Sequence, residues 1–213
     1  MDSLYTALAA LLLPAALLLA RRARAGAAAS RRAALVDRTV LITGCDSGFG
    51  FSLASHCAEL GMKVVAACYS DSSEGAQQLR GRGRGVTVVQ LDLTQPASLE
   101  TAVAAARSVA GEAGLHCLVN NAATMVFGET SWQTEAMIRN QMEVNFLGPV
   151  LLSRACLPLL VAARGRIVNM VSNCTEVPLP TLGPYTASKV TQVTSPPPAD
   201  PHLCRPRCSP CRT

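Results

Sequence analysis

The sequence TGCDSGFG at residues 43–50 decides the fold, because it places three glycines in a GxxxGxG pattern between two regular elements. A β-branched apolar run, Thr39 to Thr43, precedes it, and a helical pattern, Phe51 to Leu60, follows it. Glycines here let the backbone approach a pyrophosphate, and the start of a helix offers free N–H groups and a positive dipole end to its phosphates. The stretch therefore predicts a dinucleotide-binding turn.

Short apolar runs and helical patterns alternate along the rest of the chain. The further predicted strands are Lys63 to Cys68, Val86 to Leu91, Leu115 to Asn120 and Arg166 to Ser172, and the further predicted helices are Leu99 to Ala110 and Ile138 to Val161. Nearly continuous apolar strands are typical of a parallel sheet covered by helices on both faces. We expect an α/β fold with a Rossmann-like, doubly wound parallel sheet that is incomplete at its C-terminal edge.

Composition and charge narrow the class of protein. The chain has 213 residues, of which 49% are apolar and 15% charged, and this excludes an intrinsically disordered or collagen-like protein. The net charge of +5 divides into +4 for residues 1–34, −1 for residues 35–190 and +2 for residues 191–213. Because the middle of the chain is close to neutral and has no basic stripe interleaved with aromatic residues, we expect no nucleic-acid partner.

The nine cysteines fall into two groups. The first six stand singly in apolar periodic sequence, which predicts reduced, buried thiols in a domain that faces a reducing compartment. The last three, Cys204, Cys208 and Cys211, lie with His202 in a tail rich in Pro and Arg, where a zinc site is one interpretation. Their spacing is irregular, so we expect a disordered tail and no metal site.

The N-terminal stretch Leu4 to Ala20 carries no charge and is followed at once by Arg21, Arg22 and Arg24. Positive charges on this side indicate a membrane anchor with the following domain in the cytosol, and the short span fits the thin membrane of the endoplasmic reticulum. The Arg-rich, acid-free sequence from Arg21 to Arg32 leaves a mitochondrial presequence as the alternative.

The end of the second predicted strand, from Cys68 to Asp71, is where a dinucleotide site carries the residue that recognises the adenosine ribose. An acidic residue there binds the 2′-hydroxyl of NAD, whereas a basic one accommodates the 2′-phosphate of NADP. Asp46 and Asp71 would both repel a 2′-phosphate, and we expect no Arg or Lys near either of them. The sequence therefore favours NAD over NADP.

Tyr185 and Lys189, in the sequence YTASK, stand four residues apart and share one face of a helix. A phenol is a poor acid–base group at neutral pH, and an ammonium one turn away makes it a better one. Ser172 lies at the predicted end of a strand, where its hydroxyl can polarise a carbonyl or hold an alcohol beside the Tyr185 oxygen. The three residues predict proton transfer to or from an alcohol.

Three further motifs complete a family pattern. Asp92 follows the third predicted strand, the sequence NNA at residues 120–122 follows the fourth, and Asn145 lies in a helix. With the glycine motif, Ser172 and YxxxK, these occur in the order of the short-chain dehydrogenase/reductase superfamily, which the chain resembles from Arg38 to about Val190. The resemblance implies an NAD(P)-dependent oxidoreductase that interconverts an alcohol and a ketone or aldehyde.

The resemblance also implies roles for individual residues. The implied catalytic residues are Asn145, Ser172, Tyr185 and Lys189. The implied cofactor-binding residues are Thr43, Gly44, Ser47, Gly48, Phe49, Gly50, Asp92, Asn120, Ala122, Tyr185 and Lys189. Tyr185 would be the acid–base, Lys189 its partner and a ribose ligand, Ser172 the substrate positioner and Asn145 the organiser of a proton-relay water. Ala123 departs from the family pattern, which usually has Gly at this position.

Within the superfamily, the glycine motif followed by Phe51 and Ser52 is similar to the branch of D-beta-hydroxybutyrate dehydrogenase and of the membrane-bound retinol and hydroxysteroid dehydrogenases. Val126 to Glu129, with Trp132 and Gln133, is also similar to the insect shroud protein. This branch implies a small lipophilic alcohol or ketone, such as a steroid or retinoid, as the substrate of an anchored enzyme. Hydroxybutyrate is the alternative and fits the mitochondrial interpretation.

After Val190 the sequence becomes rich in Pro, with three successive prolines at residues 196–198. We expect the helix that begins at Tyr185 to fray and to leave Lys189 on a short stub. This predicts a truncated or alternative product with an exposed sheet edge and a shortened helix where the family usually forms homo-oligomers. An inactive, membrane-tethered fragment that acts by interaction is therefore the alternative function.

The expected domains are an anchor with a basic joint at residues 1–34, a catalytic domain at residues 35–190 and a tail at residues 191–213.

Overall fold

The computed structural model describes residues 30–194 except residues 31, 84 and 178. The chain divides into two compact units, Met1–Val36 and Asp37–Thr213, and the sheet with its helices belongs to the second. The predicted membrane anchor and the tail cysteines lie outside the described residues.

Five strands form one parallel sheet in the part of the chain that the structure describes. They are β1 (Thr39–Thr43), β2 (Lys63–Cys68), β3 (Val86–Gln90), β4 (Leu115–Asn120) and β5 (Arg166–Asn169). Their order in the sheet is β3-β2-β1-β4-β5. The direction of winding therefore reverses between β1 and β4, and in such sheets ligands bind at this point, beyond the carboxyl ends of the strands. The predicted doubly wound parallel sheet is confirmed.

In the described sequence from residue 37 to residue 194, six α-helices connect and cover the strands. They are α1 (Gly48–Glu59), α2 (Glu74–Gly81), α3 (Pro96–Ala110), α4 (Glu135–Met142), α5 (Gly148–Ala163) and α6 (Gly183–Thr194). A π-helical turn, Glu143–Leu147, joins α4 to α5 without a break. The apolar pattern of the sequence missed α2, whose start is instead marked by Ser73, a residue whose side chain accepts a hydrogen bond from the Ala76 amide.

The core lies between the sheet and helices α3 and α5. Leu41 of β1 and Leu118 of β4 are fully buried and pack with Ala102 and Ala106 of α3 and Leu152 of α5. Alanines on α3 let that helix approach the sheet closely, so the apolar strands are covered on this face. Right-handed crossovers place α1 and α2 on the opposite face.

One continuous helix runs from Glu135 to Ala163. Within the described part of the chain, it is the helix whose length and composition would allow it to cross a membrane. Leu152, Cys156 and Leu160 on this helix belong to the buried core of the sheet domain. Packing in the core therefore explains the buried part of its apolar surface, whereas Leu147, Val150 and Val161 are exposed.

Two expectations about the C-terminal part of the fold are wrong. Strand β5 ends at Asn169 and not at Ser172, because its pairing with β4 ends at Asn120 and a short helical turn follows at Asn173–Thr175. Helix α6 does not fray at Lys189 but continues to Thr194.

The predicted reduced thiols are confirmed. Five of the first six cysteines are buried and Cys117 is half-buried, and all six are free. Burial is the main cause that raises the pKa of the Cys68 and Cys117 thiols to about 11 and that of Cys156 to about 12. These thiols are therefore protonated near neutral pH and poorly reactive.

Candidate functional site

The glycine loop between β1 and α1 lies against the end of β4. Gly44 has a φ of +71°, and a Cβ atom on it would lie 2.8 Å from the Cα atom of Ala122. A Cβ atom on Gly50 would overlap the carbonyl oxygen of Gly44. Protein atoms exclude a side chain at both positions, so these glycines let the loop pack closely on itself and on the end of β4, whereas a Cβ atom on Gly48 would meet nothing within 4 Å. The N–H groups of Gly48, Phe49 and Gly50 begin α1 and have no partner within the helix.

Thr43 and Asn121 fix this loop at the switch point of the sheet. The Thr43 hydroxyl oxygen accepts hydrogen bonds from the N–H groups of Asn121 and Ala122, each at 3.0 Å. The Asn121 side-chain amide donates to the carbonyl oxygens of Thr43 at 2.8 Å and Gly44 at 3.1 Å. Sequence reasoning quoted Asn121 as part of a motif but gave it no role.

Asp46 ties the glycine loop to the end of β2. Its carboxylate accepts hydrogen bonds from the N–H groups of Tyr69 at 2.8 Å and Ser70 at 2.9 Å. The expectation that no cation lies near Asp71 is wrong, since an Arg80 guanidinium nitrogen is 3.7 Å from its carboxylate. Among the described residues, Asp46 has no such ion pair, and its carboxylate is held at the end of β2 by the N–H groups of Tyr69 and Ser70.

A cleft of about 580 Å³ opens at the carboxyl ends of the strands. Its lining residues come from the glycine loop, the ends of β2 to β4 and helix α4: Gly44, Asp46, Ser47, Tyr69, Leu91, Asp92, Leu93, Thr94, Asn121, Ala122, Ala123, Thr124, Asn140 and Val144. Four predicted cofactor residues, Gly44, Ser47, Asp92 and Ala122, thus lie together on its wall. Thr43 is buried beneath it, and Phe49 is 80% exposed on the first turn of α1.

Asn120 lies away from this cleft. Its side chain is buried, and its amide nitrogen donates to the Ser153 hydroxyl at 3.1 Å and to the Asn169 side-chain oxygen at 2.9 Å. Asn120 therefore links β4 to α5 and β5. The next residue, Asn121, points to the glycine loop instead, because successive side chains leave a strand on opposite sides.

Asn145 is fully buried in the π-helical turn between α4 and α5. Its side chain accepts a hydrogen bond from the Thr124 N–H at 2.8 Å and donates to the Thr124 carbonyl at 2.7 Å and the Ser188 hydroxyl at 3.0 Å. Single π-helical turns of this kind occur frequently at functional sites. Since Thr124 lines the cleft and Ser188 lies between Tyr185 and Lys189 in α6, Asn145 connects the cleft to α6.

Lys189 is held inside the domain on α6. Its side chain is 2% exposed, and its ammonium donates to the Met170 carbonyl at 2.9 Å and to the Gln192 side-chain oxygen at 3.2 Å. Burial lowers the pKa of Lys189, because the charged form loses its hydration. Gln192 was not singled out in the sequence, since its contact with Lys189 depends on both residues being buried on the same helix.

Ser172 and Tyr185 both precede this lysine in the chain. Tyr185 is half-buried on the first turn of α6, one turn before Lys189. Ser172 lies two residues after Met170, whose carbonyl binds Lys189, and its hydroxyl accepts a hydrogen bond from the Cys174 N–H at 3.4 Å. The four predicted catalytic residues therefore come from the α4–α5 junction, the segment after β5, and α6.

The fold and the cleft define a nucleotide-binding α/β domain of the Rossmann type. Residues 38–194 match the sequence profile of the short chain dehydrogenase family, and the chain belongs to this family. It is 39% identical to 11-beta-hydroxysteroid dehydrogenase type 2 of Oryctolagus cuniculus over 161 residues, which cover 75% of this chain and 40% of the relative. It is 42% identical to retinol dehydrogenase 7 of Mus musculus over 147 residues, which cover 68% of this chain and 46% of the relative.

Solved structures give the same assignment. A short chain dehydrogenase/reductase from Burkholderia phymatum, crystallised in complex with NAD, superposes with a TM-score of 0.69 at 29% identity, covering 75% of this chain and 57% of that one. An alcohol dehydrogenase of the same class from Sinorhizobium meliloti superposes with a TM-score of 0.68 at 29% identity, covering 75% of this chain and 64% of that one. The chain thus spans less than two thirds of the length of these relatives.

Proposed function

We propose that this chain carries the cofactor-binding and catalytic residues of an NAD-dependent oxidoreductase that interconverts a lipophilic alcohol and its ketone or aldehyde. The main observation behind this proposal is that Asn145 links the cleft to α6. Its side chain is hydrogen-bonded to Thr124 on the cleft wall and to Ser188 on the helix that carries Tyr185 and Lys189. A cofactor in the cleft and an acid–base pair on α6 would therefore be held in a fixed relation.

The cleft fits a dinucleotide. At Gly48 a Cβ atom would meet nothing within 4 Å, so the loop leaves space there for a pyrophosphate, and the first turn of α1 offers its free N–H groups to the phosphates. Ser47 and Asp92 would complete the wall around it. The Asp46 carboxylate, which the Tyr69 N–H holds at the end of β2, supports NAD, because it would accept a hydrogen bond from the 2′-hydroxyl of the ribose and would repel a 2′-phosphate. Bound NAD would supply the hydride acceptor.

Tyr185 would move the proton that accompanies hydride transfer. Its phenolic oxygen would take a proton from the alcohol hydroxyl or return one to the ketone oxygen. The Ser172 hydroxyl would hold this substrate oxygen by a hydrogen bond. The Lys189 ammonium, one turn away, supports the deprotonated phenol by its charge. Asn145 would keep α6 at the correct distance from the cleft.

The names of the relatives support a steroid or retinoid substrate. The short uncharged span and the arginines that follow it support an endoplasmic reticulum location with the catalytic domain, residues 35–190, in the cytosol. An apolar segment at residues 4–20 would then hold the enzyme at the bilayer in which such substrates dissolve. Carbonate washing of microsomes tests the anchor. The expressed protein should stay in the membrane fraction, and its release by carbonate would contradict the proposal.

The activity is tested on the full chain in detergent. NADH formation is followed with all-trans-retinol or cortisol as the alcohol, and NADH and NADPH binding are measured separately.

Tyr185→Phe should lower turnover by a factor of about 100 or more and leave NADH binding intact, because it removes the proton-transfer group alone. Lys189→Met should also lower turnover, whereas Lys63→Met, at the exposed start of β2, should not. Full turnover by Tyr185→Phe would exclude the mechanism, and tighter binding of NADPH than NADH would exclude the cofactor preference.

A further inference from the structure

The segment that follows β4 is held by two side-chain amides of one helix. Asn145 binds both the N–H and the carbonyl of Thr124, and Gln141, one turn earlier in α4, accepts a hydrogen bond from the Val126 N–H at 3.1 Å. Both amides are 0% exposed. Alternate residues of the segment are therefore bound to the helix, much as alternate residues of a strand are bound to its neighbour.

A second glutamine completes the network. The Gln141 amide nitrogen donates to the Gln133 side-chain oxygen at 2.8 Å and to the Met137 carbonyl at 3.2 Å, and the Gln133 amide nitrogen donates to the Gly128 carbonyl at 2.9 Å. Gln133 is also buried. Buried amides that satisfy one another in this way fix one backbone geometry, because any other arrangement would leave a polar group without a partner.

This network turns apolar side chains outward. Thr124, Val126 and Gly128 are partly buried, whereas the intervening Met125 and Phe127 are 53% and 75% exposed. Trp132 is 73% exposed, and its ring lies beside Gly128, where a Cβ atom would be 3.9 Å from it. We call Met125, Phe127 and Trp132 the apolar wall. Exposed apolar surface that is held rigidly is typical of a binding site.

The wall lies between the cofactor cleft and the start of α6. Thr124, directly before it, lines the cleft. At its other end the Gly128 N–H donates to the Thr181 carbonyl at 3.1 Å, and Gly183 packs so closely on Thr130 that a Cβ atom would be 2.9 Å from the hydroxyl. Thr181 has a φ of +71°, which is strained for a β-branched residue. The wall is therefore fixed a few residues from Tyr185.

We propose that Gln141 and Gln133 are positioning residues of the substrate site, which hold the apolar wall against the ring system or polyene chain of a lipophilic alcohol. This inference rests on the proposed function and adds the residues that select for bulky substrates. Neither amide touches the substrate. Both act through Val126 and Gly128, which set the direction of the apolar side chains. A rigid apolar surface that is anchored to the start of α6 favours a large alcohol over a small one, since only the large one would reach the wall.

The single tryptophan of the chain, Trp132, lies in the wall and reports on its occupancy. All-trans-retinol is added to the full chain in detergent, and Trp132 fluorescence is followed, because retinol accepts energy from a nearby indole. Saturable quenching is expected. Gln141→Leu should weaken retinol binding about tenfold and leave NADH binding, read from the fluorescence of NADH itself, unchanged. Gln78→Leu, at an exposed glutamine of α2, is the matched control.

Two further variants keep the inference testable if Gln141→Leu does not fold. Phe127→Ala changes an exposed side chain and should weaken retinol binding, and Gln133→Leu should act like Gln141→Leu. Equal losses of retinol and NADH binding in the glutamine variants would overturn the positioning role, as would unchanged retinol binding in all three. Binding is measured without turnover, so retinol binding with no NADH formation would count against the proposed reaction and not against the wall.

Discussion

The centre and the edge of the sheet are built differently. Strands β1 and β2 are buried along almost their whole length and contain mostly β-branched and small apolar residues, whereas β5 alternates between exposed and half-buried residues. At the edge, specific polar groups provide the contacts: Asn169 binds Asn120 and the Gln192 carbonyl. The centre therefore needs only apolar residues of suitable size, while the edge and the catalytic helix beside it depend on the identity of single polar side chains.

The largest expected effect compares one residue from each region. Leu118→Ala in β4 removes a fully buried side chain from the core and should lower the free energy of unfolding by about 3 kcal/mol. Val168→Ala in β5 removes a side chain that is 38% exposed and should cost less than about 1 kcal/mol. Urea denaturation of both variants measures the difference. Equal losses would show that the edge is packed as tightly as the centre.

The glycine loop gives the next largest effect. Gly44→Ala forces a side chain into the left-handed region and against Ala122, so it should lower the free energy of unfolding by about 2 kcal/mol and weaken NADH binding. Gly81→Ala is the matched control, because a Cβ atom there meets nothing within 4 Å and the residue ends a helix. The control should be neutral or slightly stabilising, by up to about 1 kcal/mol. Normal NADH binding by Gly44→Ala would show that the loop tolerates a shift away from β4.

The central elements could be predicted from the sequence because their signals are local. The predicted bounds of β1, β2 and β4 agree with the structure, since each strand is a short apolar run ended by polar residues or glycine. Helix α6 could not be bounded in this way. The prolines beyond Thr194 indicate a helix end, but the buried contacts of Ser188, Lys189 and Gln192 stabilise the helix before them.

Most of the unpredicted features of the candidate site are long-range contacts. The hydrogen bond that the Tyr69 N–H donates to the Asp46 carboxylate joins residues 23 positions apart, and no local sequence pattern predicts it. Gln141 and Gln133 lie in a polar stretch of sequence, where a glutamine is most often solvent-exposed. A strand pattern could have separated Asn120 from Asn121, because consecutive strand residues point to opposite faces.

A smaller effect tests the polar contacts of the edge. Ser153→Ala removes the hydroxyl that accepts from the buried Asn120 amide and should lower the free energy of unfolding by about 1–2 kcal/mol. Ser98→Ala removes the hydroxyl that accepts from the Asp92 N–H at a partly exposed position near the cleft and should cost about 0.5 kcal/mol. Thermal and urea unfolding rank the two variants. A larger loss for Ser98→Ala would show that the buried contact between Asn120 and Ser153 stabilises the fold less than the partly exposed contact near the cleft.

The smallest expected effect is a dependence of stability on pH at the junction of β4 and β5. Burial, followed by the charges of Arg166 and Arg38, lowers the pKa of His116 below its ordinary value of 6.5. The native state then binds fewer protons than the unfolded chain between the lowered pKa and 6.5, so stability is fully present above 6.5 and falls as the pH drops through this window. In His116→Gln, the urea midpoint of unfolding should depend less on pH below 6.5. Arg166→Gln removes the guanidinium 3.2 Å from the ring and should reduce this pH dependence in part. If the urea midpoint changes with pH equally in the wild-type chain and in both variants, other titratable groups cause the loss of stability at low pH.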